Sequence, residues 1–446
     1  MLDKLKANLT PIFKKALSAS NDAVVRAKTK NKIKKGNDQY LVALDIGTEF
    51  VKALIGRVAP DNSGNLEIIG VGRCHQSLTD MQAGAISDIS AVVENCDKAL
   101  SQAEEEAGVS VRTAVIGIAG ELVKGTTTTV KVSRQDSTKD IDIAEMEKII
   151  NLVQSRAENV AKKQLAWELG GKNVDVRLVN SALVSLEIDG YPVNNPIGFK
   201  GRDVDVQLYT AFAPLIHIGA LEKTATELDL DLLAVAAEPF AVARAVIGND
   251  PGKNISAVLM DVGGGTTDIA VVNDGGVQGT KMFGIGGRAY TRGIEKELGI
   301  SFDDAEKLKL SLSEGSIPVQ RRPQIESALA KTADTWVAGI ELALGEFDKL
   351  DHLPNRMFLC GGGSSLDMLL DKLEQSEWYR ALPFTRKPSV HLIKPGQVAG
   401  IIDKTGKVND HTYITAMGLL RVGLDTSQFN SDTESIKDKI DKMLSV

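Results

Sequence analysis

Val258-Leu-Met-Asp-Val-Gly-Gly-Gly-Thr-Thr-Asp-Ile-Ala-Val-Val272 is an apolar run ending in Asp261, a Gly/Thr turn, and a second apolar run. Three consecutive glycines weaken a strand and demand a reason, such as close approach of a ligand to the backbone. A turn of Gly and Thr presents N–H groups and hydroxyls that can wrap an anion, a polyphosphate among them. The pattern recurs upstream in Tyr40-Leu-Val-Ala-Leu-Asp-Ile-Gly-Thr-Glu-Phe-Val-Lys52, where Asp45 leads its own Gly/Thr turn. Asp45 and Asp261 would both stand beside that anion, where a carboxylate is tolerated only with a cation between. The reading is two phosphate hairpins facing one Mg²⁺-nucleotide across a cleft, in a two-lobed α/β protein.

In the first turn, Gly47 and Thr48 supply the close approach and the hydroxyl; Gly263, Gly264, Gly265, Thr266 and Thr267 supply the second. Lys52, on the return arm, is placed to reach back to the phosphates. Asp45 and Asp261, with Asp268 as a further candidate, would hold Mg²⁺ through water, because Mg²⁺ keeps much of its hydration shell. A third glycine run, Gly361, Gly362 and Gly363 with Ser364, follows the apolar Met357–Cys360 and opens a helix. It either receives a purine and ribose or is a tight strand-to-helix turn. Glu238 lies at a strand exit, with Pro239 in the first turn of the next helix. It is the candidate to orient the water attacking a γ-phosphate; helix capping is the plainer alternative.

The chain has 446 residues, 43% hydrophobic and 25% charged, enough for two or more cores. Cys74, Cys96 and Cys360 have no paired or metal-type spacing, which suits a reducing compartment. The five histidines show no metal spacing either. Residues 1–36 hold nine Lys and one Arg against two Asp, a net +8, leaving −15 for the rest of a chain whose total is −7. The acidic body argues against general nucleic-acid binding, and the basic arm points to an acidic surface. No apolar run reaches the roughly 18 residues that span a bilayer, and the N-terminus lacks the apolar core of a secretory signal. The expected location is cytoplasmic.

Residues 1–20 read as an amphipathic helix with Leu2, Leu5, Leu9, Ile12, Phe13 and Leu17 on one face and Lys4, Lys14 and Lys15 away from it. Apolar face, basic residues and a Lys-rich tether together suit an anionic membrane surface; docking onto the body is the alternative. Residues 1–36 are thus arm and tether. The first lobe is expected over 37–112 and 209–254, with a small β-α-β unit, including an alternating strand at 113–119, inserted at 113–208. The second lobe follows at 255–286 and 353–424, with a helical subdomain at 287–352. Asp425–Ser435 reads as a linker within a tail at 425–446, where Ile436, Ile440, Met443 and Leu444 share one face of a charge-balanced helix. The two hairpins make the lobes an internal quasi-repeat.

Five segments in this order resemble the ATPase superfamily of actin, the heat-shock chaperones and the sugar kinases: Asp45–Lys52, Ala237–Val246, Asp261–Asp268, Leu359–Leu366 and Ile414–Leu420. The resemblance implies an actin-like (ribonuclease H-like) fold, ATP and Mg as cofactors, and nucleoside contacts by Glu306 and Lys309 in Ala305-Glu-Lys-Leu-Lys309. The inserted unit sits where the bacterial cell-division FtsA family carries its 1C subdomain, of SHS2 type. Glu238-Pro-Phe-Ala-Val-Ala243 and Ile285-Gly-Gly-Arg-Ala-Tyr-Thr-Arg-Gly-Ile294 also read as that family does. That resemblance implies an ATP-binding protein that self-associates into filaments on the inner membrane face. It would tether FtsZ there through the FtsZ C-terminal peptide and meet anionic lipids and other division proteins. Turnover of ATP is expected to be slow at most, since no residue besides Glu238 suggests strong activation of water. The family's membrane helix is C-terminal, whereas the basic amphipathic stretch here is N-terminal. A PilM-like adaptor, binding a short cytoplasmic peptide of an inner-membrane pilus protein, is the alternative. A small-molecule kinase would need a base beside its acceptor, and none stands at a recognisable spacing.

Overall fold

The computed structural model describes residues 34–35, 40–61, 63–120, 123–247, 255–313, 316 and 321–428. The N-terminal amphipathic stretch with Leu2, Leu5, Leu9, Ile12, Phe13 and Leu17, and the C-terminal one around Ile440, lie outside the described residues.

The first lobe begins with β1 (Tyr40–Ile46), β2 (Phe50–Val58) and β3 (Leu66–His75), an antiparallel meander. Helix α1 (Ile89–Ala107) follows, capped by Asp88 and closed by Gly108 in the left-handed region. Strand β4 (Thr113–Ile118) then pairs in parallel with β1. Beyond it comes an insert of β5 (Lys124–Ser133), α2 (Ile143–Glu168), β6 (Val176–Ile188) and β7 (Asp203–Pro214). Helix α3 (Leu215–Glu227), β8 (Asp231–Ala237) and α4 (Glu238–Ile247) return to the first lobe.

The second lobe repeats the plan. Antiparallel β9 (Ala257–Val262), β10 (Thr267–Asn273) and β11 (Gly276–Phe283) precede helices α5 (Gly287–Leu298), α6 (Phe302–Ser313) and α7 (Arg322–Gly345). Parallel β12 (Arg356–Cys360), helix α8 (Asp367–Gln375) and parallel β13 (Ser389–Leu392) complete it. The chain then crosses back. Strand β14 (Ile401–Asp403) joins the first sheet beside β3, and α9 (Ile414–Gln428) packs on α4 and on the first-lobe strands β1 and β4.

Strand order shows the repeat directly. The first sheet runs β8-β4-β1-β2-β3-β14, and the second runs β13-β12-β9-β10-β11 and on through the insert's β5-β7-β6, so each lobe places two parallel strands on one flank of a three-stranded meander. The central strands β1 and β9 are covered on both faces and read as near-continuous apolar runs, broken by Asp45 and Asp261 close to their carboxyl ends. Those ends, outside the parallel strands, are where α/β sheets bind ligands.

Two expectations fail at the boundaries. Residues 113–118 do not open the insert: β4 lies in the heart of the first sheet between β1 and β8. Ala114 to Ile118 are all buried, so no polar face alternates with an apolar one. A strand covered on both sides has no such face to show. The insert instead spans β5 to β7, past residue 208 to Pro214, and α2 runs to Glu168. It has its own small core, with Met146, Ile150 and Val153 of α2 against Leu186, Val206 and Leu208.

The second failure is the linker at 425. Helix α9 continues to Gln428 because Asp425, 7% exposed, is held between Arg244 Nη2 at 2.6 Å and Arg421 Nη2 at 2.8 Å. A carboxylate gripped by one buried and one half-buried arginine behaves as part of the fold. Among the described residues no helix is long and apolar enough to cross a membrane.

Candidate functional site

The two hairpins share one register. Asp45 lies opposite Lys52 and Ile46 opposite Val51; Asp261 lies opposite Asp268 and Val262 opposite Thr267. Each four-residue turn is closed by its first amide, Gly47 N–H to Phe50 O at 3.1 Å and Gly263 N–H to Thr266 O at 2.9 Å.

The carbonyls of both turns are tied back. Gln76 Nε2 donates to Gly47 O at 2.7 Å, Arg288 Nη2 to Thr48 O at 2.7 Å, and the Gln76 amide to Glu49 O at 2.9 Å. In the second turn the first amides of α5 hold Gly263 O (Gly287, 2.9 Å) and Gly264 O (Arg288, 2.8 Å). In a planar trans peptide the N–H points opposite to its C=O. The amides of Thr48, Glu49, Phe50, Gly264 and Gly265 therefore face away from these partners, an arrangement that suits an anion.

Between the lobes lies a cavity of about 270 Å³, lined by Asp45, Gly47, Thr48, Lys52, Glu238, Asp261, Gly263, Gly264, Thr266 and Asp268, and by Glu306, Lys309, Gly361, Gly362 and Gly363. Residues far apart in sequence thus converge on one space.

Its electrostatics are lopsided. Lys52 Nζ meets Asp45 Oδ2 at 2.9 Å. Burial opposes the Lys52 charge, yet Asp45 and then Asp261 hold its pKa above the ordinary lysine value. Desolvation, then the charges of Asp45, Asp268 and Asp261, push Glu238 well above the carboxylate range. Desolvation and Asp261 do the same to Asp268. Asp261 is also raised, by burial first, although Thr415 Oγ1 donates to its Oδ2.

Four buried carboxylates thus share one ammonium. Thr266 Oγ1 donates to Asp268 Oδ2 at 2.9 Å, but Asp268 Oδ1 is buried without a hydrogen-bond partner. An orphaned carboxylate oxygen beside Asp261 fits a site that takes a cation. Among the described residues no three His, Cys, Asp or Glu side chains close into a direct ligand set. The fit is to an ion held through its own water shell, with Asp45, Asp261 and Asp268 as the receiving carboxylates.

Three of the residues singled out in the sequence do not line the cavity. Thr267 is fully buried; its hydroxyl donates to Ile285 O at 2.7 Å and accepts from Trp336 Nε1 at 2.9 Å, fixing the second lobe's core. Ser364, also fully buried, donates to Cys360 O at 2.6 Å. Gly265 serves packing between lobes: a Cβ there would sit 2.7 Å from Thr48 Oγ1, and one on Gly264 would sit 2.9 Å from Glu49 Cβ. The glycine run therefore lets the two turns touch as well as admitting an anion.

At the nucleoside end, Lys309 Nζ is engaged by Glu306 Oε2 (2.8 Å), Thr291 Oγ1 (2.9 Å) and Gly287 O (3.1 Å). Its three donors are taken, so it positions Glu306 and the start of α5. Gly361 has φ +83°, and a Cβ on it would fall 1.9 Å from Asp261 Oδ1. Only glycine fits there.

Sequence reading missed Gln76, Arg288, Glu49 and Thr415. Arg288 Nε meets Glu49 Oε2 at 2.8 Å, and Glu49 Oε1 meets His75 Nε2 at 2.8 Å, so a second-lobe cation clasps the first-lobe turn. Gly286-Gly287-Arg288 was the visible signal, a helix start too small to keep its arginine from the turn. Gln76 and Thr415 carry none.

The cell-division protein FtsA family is matched over residues 258–418. The cell division protein FtsA of Pseudomonas aeruginosa is 26% identical over 406 residues, 86% of this chain and 89% of that protein. That of Bacillus subtilis is 28% identical over 279 residues, 62% of this chain and 58% of the relative. Among solved structures, a chain of the PilM–PilN type IV pilus biogenesis complex superposes with a TM-score of 0.61 at 14% identity, covering 86% of this chain and 98% of that one.

Proposed function

We propose that this chain is an FtsA-like protein of the actin-like ATPase superfamily, that it binds Mg²⁺-ATP between its lobes, and that it works as a cytoskeletal protein of cell division. The observation that carries the nucleotide is the pair of matched turns, amides turned one way and carbonyls tied the other, above four carboxylates short of cations.

Asp45, Asp261 and Asp268 would receive a hydrated Mg²⁺, which would offset their charge and that of the phosphates. Thr48 and the turn amides hold phosphate oxygens, and Lys52 adds a positive charge beside Asp45. Glu306 accepts from ribose, and Gly361 to Gly363 offer a flat wall to the base. Glu238, whose pKa burial and the neighbouring carboxylates hold well above the ordinary range, orients water, and ATP turns over slowly at most.

In the finer reading, the chain assembles with itself on the inner face of the cell membrane and tethers FtsZ by its C-terminal peptide. Anionic lipids would be met by the basic N-terminal arm. Division rather than pilus assembly is favoured because sequence likeness to FtsA extends over 89% of the Pseudomonas relative, whereas likeness to PilM is one of fold. Calorimetry with Mg²⁺-ATP tests the cleft. Capture by an FtsZ C-terminal peptide, against the N-terminal peptide of a pilus inner-membrane protein, tests the partner. Capture by the pilus peptide alone would reverse the assignment.

A further inference from the structure

The insert grips the corner that carries Glu238. In the pairing of β6 with β7 the register breaks between Leu178 and Asn180, leaving Val179 as an extra residue. Such a bulge re-aims the side chain beside it. Asn180, buried, accepts the Ala237 N–H on its Oδ1 at 2.7 Å. Ala237 is the last residue of β8 and directly precedes Glu238.

The second contact comes from β7. Tyr209 is fully buried and lies flat on Phe240, with ring centroids 5.5 Å apart and an interplanar angle of 3°. Phe240 is two residues past Glu238, on the first turn of α4. The Tyr209 hydroxyl meets Thr280 Oγ1 of β11 at 3.3 Å, and β5 pairs with β11 through Gly125 and Thr126. The insert therefore holds the corner on both sides of Glu238 while leaning on the second lobe.

A carboxylate that orients water works only within a narrow placement, and a misplacement near 1 Å costs about 100-fold in rate. We propose that Asn180 and Tyr209 are positioning residues for Glu238, so that the insert, and not the two lobes alone, sets where that carboxylate points. The inference rests on the nucleotide reading above. It makes β6 and β7 part of the turnover machinery, although neither strand lines the cavity.

The test is single-turnover phosphate release at saturating Mg²⁺-ATP, with ATP affinity measured beside it by calorimetry. Asn180→Ala in the full chain should slow release by about tenfold while leaving affinity within about twofold. In a Glu238→Gln background the same substitution should cost nothing further, since residues acting as one unit are not additive. Tyr209→Leu, which keeps apolar bulk, reads the second contact and stands in should Asn180→Ala fail to fold. An equal loss in both backgrounds, an affinity that falls with the rate, or unchanged release would overturn the inference. Native protein that binds no ATP would instead sink the nucleotide reading, and this one with it.

Discussion

Lys52 and Asp268 occupy matching positions in the two hairpins, each directly across from the leading aspartate of its own. One lobe answers its aspartate with a cation at 2.9 Å, and the other answers with a second carboxylate. Like charges directly opposed across two strands destabilise a sheet. The repeat is thus symmetric in backbone and opposite in charge, and a cationic partner belongs on the Asp261–Asp268 side.

Removing that repulsion should stabilise the protein without ligand. Asp268→Asn is expected to raise the unfolding free energy of the metal-free chain by about 1 kcal/mol, and to weaken Mg²⁺-dependent ATP binding. Denaturant melts with EDTA, then calorimetry with Mg²⁺-ATP, measure both. A destabilised metal-free variant would contradict the charge argument.

Asp261→Ala should abolish Mg²⁺-ATP binding and leave the fold intact, since Thr415 loses only its acceptor. Calorimetry decides it, with circular dichroism as the check on folding. Undiminished affinity would mean that the cleft has been misplaced.

Stability without metal should fall as pH rises. Glu238 and Asp268 have folded pKa values raised above ordinary values of 4.5 and 3.8, by burial first. The folded state then holds protons the unfolded chain has released, so unfolding free energy declines with pH through that window. Thermal melts with EDTA should show Tm declining as pH is raised above the ordinary carboxylate range. Mg²⁺-ATP should flatten the slope, because a cation favours the ionised carboxylates. A Tm rising across the window without ligand would refute this.

Arg288→Ala removes the clasp on Glu49 and Thr48 O. A charge-assisted hydrogen bond of this kind is worth about 1.5–3 kcal/mol, so the lobes should part more readily. Expected results are a larger radius of gyration by small-angle scattering and faster release of a fluorescent ATP analogue. Arg288→Lys should restore the bond only in part, having no fork to span both acceptors.

Much of the site was legible because its signals are local. Asp45 and Asp261 interrupt apolar strands, and glycine runs are conspicuous wherever the backbone must come close. What was lost depended on distance. Thr267 looks like its neighbour Thr266 in sequence, but strand alternation turns one to the cavity and the other to Trp336. The strand at 113–118 carried no mark of which sheet it would join, since parallel pairing is decided by partners far along the chain.

Sequence by itself determined the two hairpins, the cleft they imply and the charge of the residues facing it, because turn chemistry and strand periodicity act over a few residues. Tertiary structure decided which carboxylates lack a counter-charge, which arginine clasps which turn, and that the insert's Asn180 braces Glu238. Each of those depends on distances between groups from separate elements: a hydrogen bond needs donor and acceptor within about 3 Å, and Coulomb energy varies inversely with separation.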